Sequence, residues 1–368
     1  MTINRVIISG GGTGGHVFPA IAIANEIRRR NPSANILFIG AKGKMEMEKV
    51  PEAGYNINGL PIAGFQRKIS LSNFTLPFKI IKSIMMARNI IKTFKPELVI
   101  GVGGYASGPT LRAAAGLKIP TLIQEQNSFP GKTNKILSKR AHTICTAYEG
   151  LEKFFPKEKI VLTGNPVRAE VVNIDGKREK AYEHYQLDSS KKTILIIGGS
   201  LGARTLNESV QEHLDLFEKD DNIQLLWQCG RHHYGQLRGS TKIKKYPNVK
   251  LKQFIHSMDL AYAAADVIIS RAGAISVSEL CLIQKPAILV PSPNVAEDHQ
   301  TKNAQSLLTQ GAVIMIKDNE AVQQLIPRAF QLLHNPEECK KLQTAIAPLG
   351  IPDAAHRIVD EAEKIALN

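Results

Sequence analysis

The chain has 368 residues, 43% of them hydrophobic and 22% charged, which is more than one compact core usually fills, so two domains are expected and disorder, collagen and coiled coil are excluded. No apolar run approaches the roughly 18 residues that a membrane-crossing helix needs. Charge is uneven: residues 1–168 hold 24 Lys and Arg against 9 Glu and no Asp, a net of +15, while 169–368 come to −1, so an anionic partner is expected for the first half.

The first segment, MTINRVIISGGG, lacks the apolar stretch and small-residue cleavage site of a secretory signal and runs straight into a strand, so a cytosolic location is expected. Short β-branched runs at 5–9, 35–40, 97–101, 120–125 and 142–147 alternate with helical stretches, the pattern of a parallel sheet with crossover helices. Between 74 and 94, Ile80, Ile84, Ala87, Ile91 and Phe94 share one helical face and predict core. Phe74, Phe78, Ile81 and Met85 form a second apolar face, flanked by Lys79, Lys82 and Arg88. Basic residues beside exposed apolar ones suit an anionic membrane surface, the alternative being a helix buried on two sides.

A second series of strands follows at 193–197, 223–228, 249–254, 266–270, 286–291 and 312–316. Two doubly wound α/β domains are predicted, 1–165 and 166–352, divided near Asn165-Pro166. A final helix at 353–367 is free to pack back on the first domain. The four cysteines lie more than 50 residues apart without a C-x-x-C, so zinc and a disulfide framework are not expected.

Each series opens with a strand, a glycine-rich turn and a helix. Residues 10–15, GGGTGG, satisfy G-x-G-x-x-G, yet the next strand ends Gly40-Ala41-Lys42-Gly43, with no acidic residue for a ribose, so NAD is disfavoured. What survives is a backbone that admits phosphate at a helix start. GGSLGAR at 198–204 repeats that chemistry, which predicts two phosphorylated ligands in one cleft. No G-K-[ST] follows either loop, no D-x-D occurs, and no His/Cys/carboxylate cluster has metal-ligand spacing, so neither metal nor cofactor is expected.

Taken together, GGGTGGH at 10–16, GGYASGP at 103–109, EQN at 125–127, GNPVR at 164–168, GGSLGAR at 198–204, SRAGAISVSE at 270–279 and EDHQTKNA at 297–304 closely resemble the MurG-type N-acetylglucosaminyltransferases of bacterial peptidoglycan synthesis, over about residues 5–365. The resemblance implies a GT-B architecture, two Rossmann-like domains around a cleft. It implies inverting transfer of N-acetylglucosamine from UDP-N-acetylglucosamine to the C4 hydroxyl of the N-acetylmuramoyl-pentapeptide of lipid I, giving lipid II. The enzyme would sit peripherally on the cytoplasmic face of the inner membrane, with a cell-wall synthesis complex as a candidate partner.

By the same resemblance, Ser200 and its loop would hold the UDP phosphates, Phe254 and Ile255 would flank the uracil, and Glu279 would accept from the ribose hydroxyls. Arg271 and Ala274 would lie near the diphosphate and sugar, and His299 and Gln300 at the sugar hydroxyls. Core packing is the alternative for Phe254, and a solvated helix charge for Glu279. Thr13, Gly14, Gly15 and His16 would meet the lipid-linked diphosphate and the cleft floor, with Gly103, Gly104 and Tyr105 as a second anion-binding turn. Thr13, Gly14 and Gly15 also count among the candidate donor contacts, and Asn127 and Arg168 match positions that reach the donor across the cleft. One departure stands out: Gln124 replaces a histidine often found before EQN, and an amide cannot act as a base.

Inversion needs a general base, and a histidine is the natural candidate at cytosolic pH. His16 is the first choice, a phosphate-binding or loop-bracing role being its alternative. Glu125 is the second, against a buried structural carboxylate. Rival readings are a related transferase with another lipid acceptor such as diacylglycerol, a UDP-N-acetylglucosamine epimerase, and a nucleic-acid module. The last is disfavoured because few aromatics accompany the basic residues.

Overall fold

In the computed structural model, which describes residues 2–62 and 76–366, all the strands expected from the sequence form, and two short ones join them. The first sheet comprises β1 (Arg5–Ser9), β2 (Asn35–Ala41), β3 (Asn56–Leu60), β4 (Leu98–Gly101), β5 (Thr121–Glu125), β6 (Thr143–Thr146) and β7 (Ile160–Leu162). Its order is β3-β2-β1-β4-β5-β6-β7 and every pairing is parallel. The second comprises β8 (Lys192–Ile197), β9 (Ile223–Gln228), β10 (Val249–Lys252), β11 (Val267–Ser270), β12 (Ala287–Leu289) and β13 (Ile314–Met315). It is also parallel, in the order β10-β9-β8-β11-β12-β13.

The unforeseen strands β3 and β7 are both edges. Only one neighbour covers them, so they need no continuous apolar run, and NINGL and IVL carry too little of one to stand out. Some central strands are buried throughout, as in Leu98–Gly101 and Ile223–Gln228.

Each sheet has one place where the strand order reverses: between β1 and β4 in the first, between β8 and β11 in the second. At such a point the loops leaving the carboxyl ends of two adjacent strands diverge to opposite faces and open a crevice. Both glycine turns named above lie there.

The chain divides into two compact units, Met1–Val167 with Pro352–Asn368, and Arg168–Ile351. The final helix, Ala354–Ala366, belongs to the first because Ile358, Val359 and Ala362 are buried with Ile8, Val17 and Phe38. Arg30, ending the helix Gly14–Arg30, reinforces that packing with ion pairs to Asp360 at 2.7 Å and Glu363 at 3.0 Å.

The helix Leu76–Phe94 corrects one expectation. Ala87 and Ile91 are fully buried, but Ile80 is exposed, and the inward position one turn earlier is Ser83. Phe78, Ile81 and Met85 are 76%, 57% and 62% exposed, Lys82 and Arg88 are exposed, and Lys79 is half-buried. Among the described residues, nothing buries this second face. Phe74 lies outside the described residues. Among those described, no helix is long and apolar enough to cross a membrane.

Candidate active site

In the first unit, the turn after β1 and the turn after β4 pack backbone against backbone. A Cβ on Gly104, whose φ is +83°, would stand 2.2 Å from the carbonyl oxygen of Gly11, so only glycine permits the approach. Thr13 then caps the helix Gly14–Arg30, placing Gly14 and Gly15 in its first turn, where backbone N–H groups lack intrahelical carbonyls. Tyr105 is 48% exposed beside this turn.

A residue that sequence reasoning passed over holds the turn in place. Glu46, buried at the start of the helix Glu46–Glu52, accepts from Gly12 N–H at 2.7 Å and from Ala41 N–H at 2.9 Å. It is an acidic residue five positions beyond Ala41, the last residue of β2. Its anionic oxygens occupy the bend, so the Gly12 N–H is not offered to phosphate. The helix start at Gly14–Gly15 lies just beyond this bend.

His16 projects from that first turn, half-buried, with Nδ1 3.0 Å from Oε1 of Gln126. Strand alternation sends Gln124 and Gln126 to the side of the sheet facing His16 and sends Glu125 to the other. There Glu125, fully buried, accepts from the backbone and side-chain N–H groups of Asn127, both at 3.1 Å, from Gly131 N–H at 3.2 Å and from the Asn134 amide at 2.8 Å. Burial raises its pKa, and these donors oppose the rise. Four bonds within one loop exhaust both oxygens, which corrects the expectation of a second candidate base: Glu125 shapes the loop that presents Asn127.

In the second unit the geometry repeats with different fittings. A Cβ on Gly230, at φ +81°, would lie 2.1 Å from the Gly202 nitrogen, so this turn too rests on backbone contact. Ser200 is exposed on the bend ahead of the helix Arg204–Glu212, and Arg231 N–H donates to its carbonyl at 3.2 Å. Among the described residues no carboxylate hydrogen-bonds the 199–203 turn. Across the switch point, Gly273 caps the helix Ala274–Ile283.

Phe254 is 44% exposed, its ring edge-on to His256, which removes the core alternative. Ile255 is buried, and its backbone N–H donates to Gln228 Oε1 at 2.9 Å, so both its side chain and its N–H serve the fold. Glu279 is buried rather than solvated; it accepts from the Tyr262 hydroxyl at 2.8 Å. Burial raises its pKa, opposed by that hydroxyl and by the field of Arg168, which places Arg168 electrostatically beside it.

Arg271 also reaches the turn after β12. Its guanidinium donates to the carbonyls of Val290 at 3.0 Å and Pro291 at 3.3 Å and pairs with Asp318, so it braces the turn after β12. Gln300 accepts from Ser292 N–H at 2.8 Å in that same turn. His299 stands 3.9 Å from Glu297, and Glu297 and Asp298 both adopt left-handed backbone, φ +52° and +54°. Two consecutive strained residues of this kind cost about 1–3 kcal/mol each and cluster at ligand sites. The Asp298–Thr301 and Lys302–Glu297 hydrogen bonds hold them.

Residues 6–146 match the glycosyltransferase family 28 N-terminal domain and 193–358 its C-terminal domain. A relative from Phocaeicola vulgatus is 55% identical over 363 residues, covering 98% of this chain and 96% of its own, and one from Christiangramia forsetii is 53% identical over 366 residues, covering 99% and 98%. Both are named UDP-N-acetylglucosamine–N-acetylmuramyl-(pentapeptide) pyrophosphoryl-undecaprenol N-acetylglucosamine transferase. The crystal structure of Acinetobacter baumannii MurG superposes with a TM-score of 0.77 at 30% identity, covering 98% of this chain and 99% of that one. The UDP-GlcNAc 2-epimerase of Neisseria meningitidis bound to UDP-GlcNAc reaches 0.69 at 16% identity, covering 98% and 100%, a likeness of fold alone.

Proposed function

The chain belongs to glycosyltransferase family 28, in its MurG-type branch of GT-B enzymes, and from that premise we propose how its residues carry the reaction. It transfers N-acetylglucosamine from UDP-N-acetylglucosamine to the muramoyl-pentapeptide of undecaprenyl-linked lipid I, giving lipid II. The transfer inverts C1. The C4 hydroxyl of the acceptor attacks from the face opposite UDP, its proton passes to Nε2 of His16, and the C1–O bond to UDP breaks with its electron pair leaving on the diphosphate.

One observation supports the assignment of roles: in each unit two glycine-bearing motifs, 10–16 and 103–109 in the first and 198–204 and 270–279 in the second, follow or close the adjacent strands between which the strand order reverses. In the second unit, the turn at Ser200 and the helix start at Ala274 hold the diphosphate, with two helix dipoles to stabilise the leaving group in place of a metal. Phe254 presents its ring to the uracil, Ile255 its backbone, and Glu279 its carboxylate to the ribose. His299 and Gln300 meet the sugar hydroxyls, while Arg168 completes the donor contacts of this unit. In the first unit, Thr13, Gly14, Gly15, Gly103, Gly104 and Tyr105 take the acceptor diphosphate.

The acceptor's lipid anchor requires a surface as well. Phe78, Ile81 and Met85 would enter the acyl boundary of an anionic leaflet while Lys79, Lys82 and Arg88 meet its headgroups, each basic residue contributing about 1 kcal/mol. This makes the protein peripheral on the cytoplasmic face of the bacterial inner membrane.

The test combines radiolabelled UDP-N-acetylglucosamine, a short-chain lipid I analogue and EDTA. Label in the disaccharide lipid despite chelation is the expected result. Transfer only to diacylglycerol, release of free sugar without acceptor, or loss of transfer on chelation would each overturn a named part. For the membrane surface, reversing Lys79, Lys82 and Arg88 to Glu should abolish co-sedimentation with anionic vesicles and preserve activity on the soluble acceptor; retained binding would place the contact elsewhere.

A further inference from the structure

The turn that carries His16 is backed by a chain of three buried amides, and each amide's orientation is forced by its neighbours. Gln126 Nε2 donates to Val102 O at 2.8 Å and to Gln124 O at 3.2 Å, and also meets Gln124 Oε1. Rotating this amide by half a turn would set its oxygen against three acceptors, so its nitrogen is identified by the network itself. Gln124 Nε2 donates to Asn165 Oδ1 at 3.0 Å, and Asn165 Nδ2 donates to Gln126 O at 3.0 Å, closing the arrangement. All three side chains are nearly inaccessible to solvent, at 0%, 1% and 3% for Gln124, Gln126 and Asn165. What Gln126 turns toward His16 Nδ1 is therefore Oε1, which can only accept.

We infer that Gln126, oriented by Gln124 and Asn165, is a positioning residue that fixes neutral His16 as the tautomer with hydrogen on Nδ1, leaving Nε2 as the basic nitrogen. This rests on the reading of His16 as the base, and gives it a structural cause. In water the Nε2–H tautomer of a histidine is the commoner one, and in that form the nitrogen read as the base would already carry a proton. The relay contains no ionisable group, and the two buried carboxylates of these loops, Glu46 and Glu125, are committed to Gly12 and Ala41 and to the 127–134 loop. Gln124 thus acquires a role: its amide both donates to Asn165 and accepts from Gln126.

The test is ¹⁵N NMR of the full chain labelled at histidine, above the pH at which His16 loses its charge, with the signal assigned by its disappearance in His16→Gln. A protonated Nδ1 and a bare Nε2 are expected in the native protein; a protonated Nε2 overturns the proposal whatever His16 does in catalysis. Gln126→Leu should mix the tautomers and lower kcat at least about tenfold with UDP affinity unchanged, as happens when the partner orienting a functional histidine is lost. Gln124→Met, which keeps the bond to Val102, should give the same change in smaller measure. A tautomer change with kcat untouched would reject His16 as the base and, with it, the positioning role; the native spectrum needs no variant, so a misfolded Gln126→Leu leaves the proposal open to refutation.

Discussion

The two glycine turns are the same backbone device with opposite fittings. Each lies at a switch point, and each rests on a pair of glycines whose backbones touch, Gly11 with Gly104 and Gly202 with Gly230. In the first, a buried carboxylate occupies the bend and an amide relay stands behind the following histidine. In the second, no carboxylate among the described residues reaches the turn, and two helix starts flank it. The difference teaches that a glycine-rich turn is a way of bringing backbone close to something, and the nearby charge decides what. Glu46 fills the bend of the first turn just ahead of His16, whereas among the described residues no carboxylate hydrogen-bonds the bend of the second.

The largest effect should come from the residue the first turn mounts. His16→Ala should lower turnover about 10²–10⁴-fold while leaving UDP affinity nearly intact, measured by initial rates and calorimetry. A loss confined to acceptor KM would make His16 a phosphate ligand and bring the two turns closer in kind.

Alanine at Gly104 or Gly230 tests what they share. Backbone overlap and positive φ should each cost stability, together about 2–4 kcal/mol by denaturant unfolding. A tolerated Gly230→Ala would mean that the second turn does not depend on the close approach.

Glu46→Gln probes what separates them. An amide retains one acceptor but sets an N–H against a backbone donor, which should cost about 1.5–3 kcal/mol and lower kcat through His16. Stability and rate both unchanged would show that the carboxylate does not hold the turn.

The smallest change belongs to Glu279 and depends on pH. Its carboxyl is held above the ordinary 4.5, so stability is fullest below that value, falls as pH rises through the raised folded pKa, and stays reduced above it. Glu279→Gln should raise the melting temperature at pH 8 but not at pH 4, and weaken UDP binding by about 1 kcal/mol. An equal melting shift at both pH values would count against burial of the ionised carboxylate.

Much of this was legible in the sequence because it is written in local pattern. Alternating strands and helices, the glycine turns and the seven ordered motifs fix the α/β class, the two sheets and the family, since periodicity and backbone conformation are properties of consecutive residues. The edge strands β3 and β7 escaped because an edge imposes no strong pattern. Ile80 was assigned to the core because periodicity gives the direction of a helical face without saying where its cover ends.

Only the tertiary structure decided which polar groups meet. Glu46 reaches Gly12 across 34 positions, Gln126 reaches His16 across 110, and Arg271 reaches Asp318 across 47. No spacing rule connects such pairs. A buried donor or acceptor must find a partner wherever the folded chain supplies one, and that requirement turned Glu125 from a candidate base into a loop anchor and Gln124 from a lost histidine into a link of the relay.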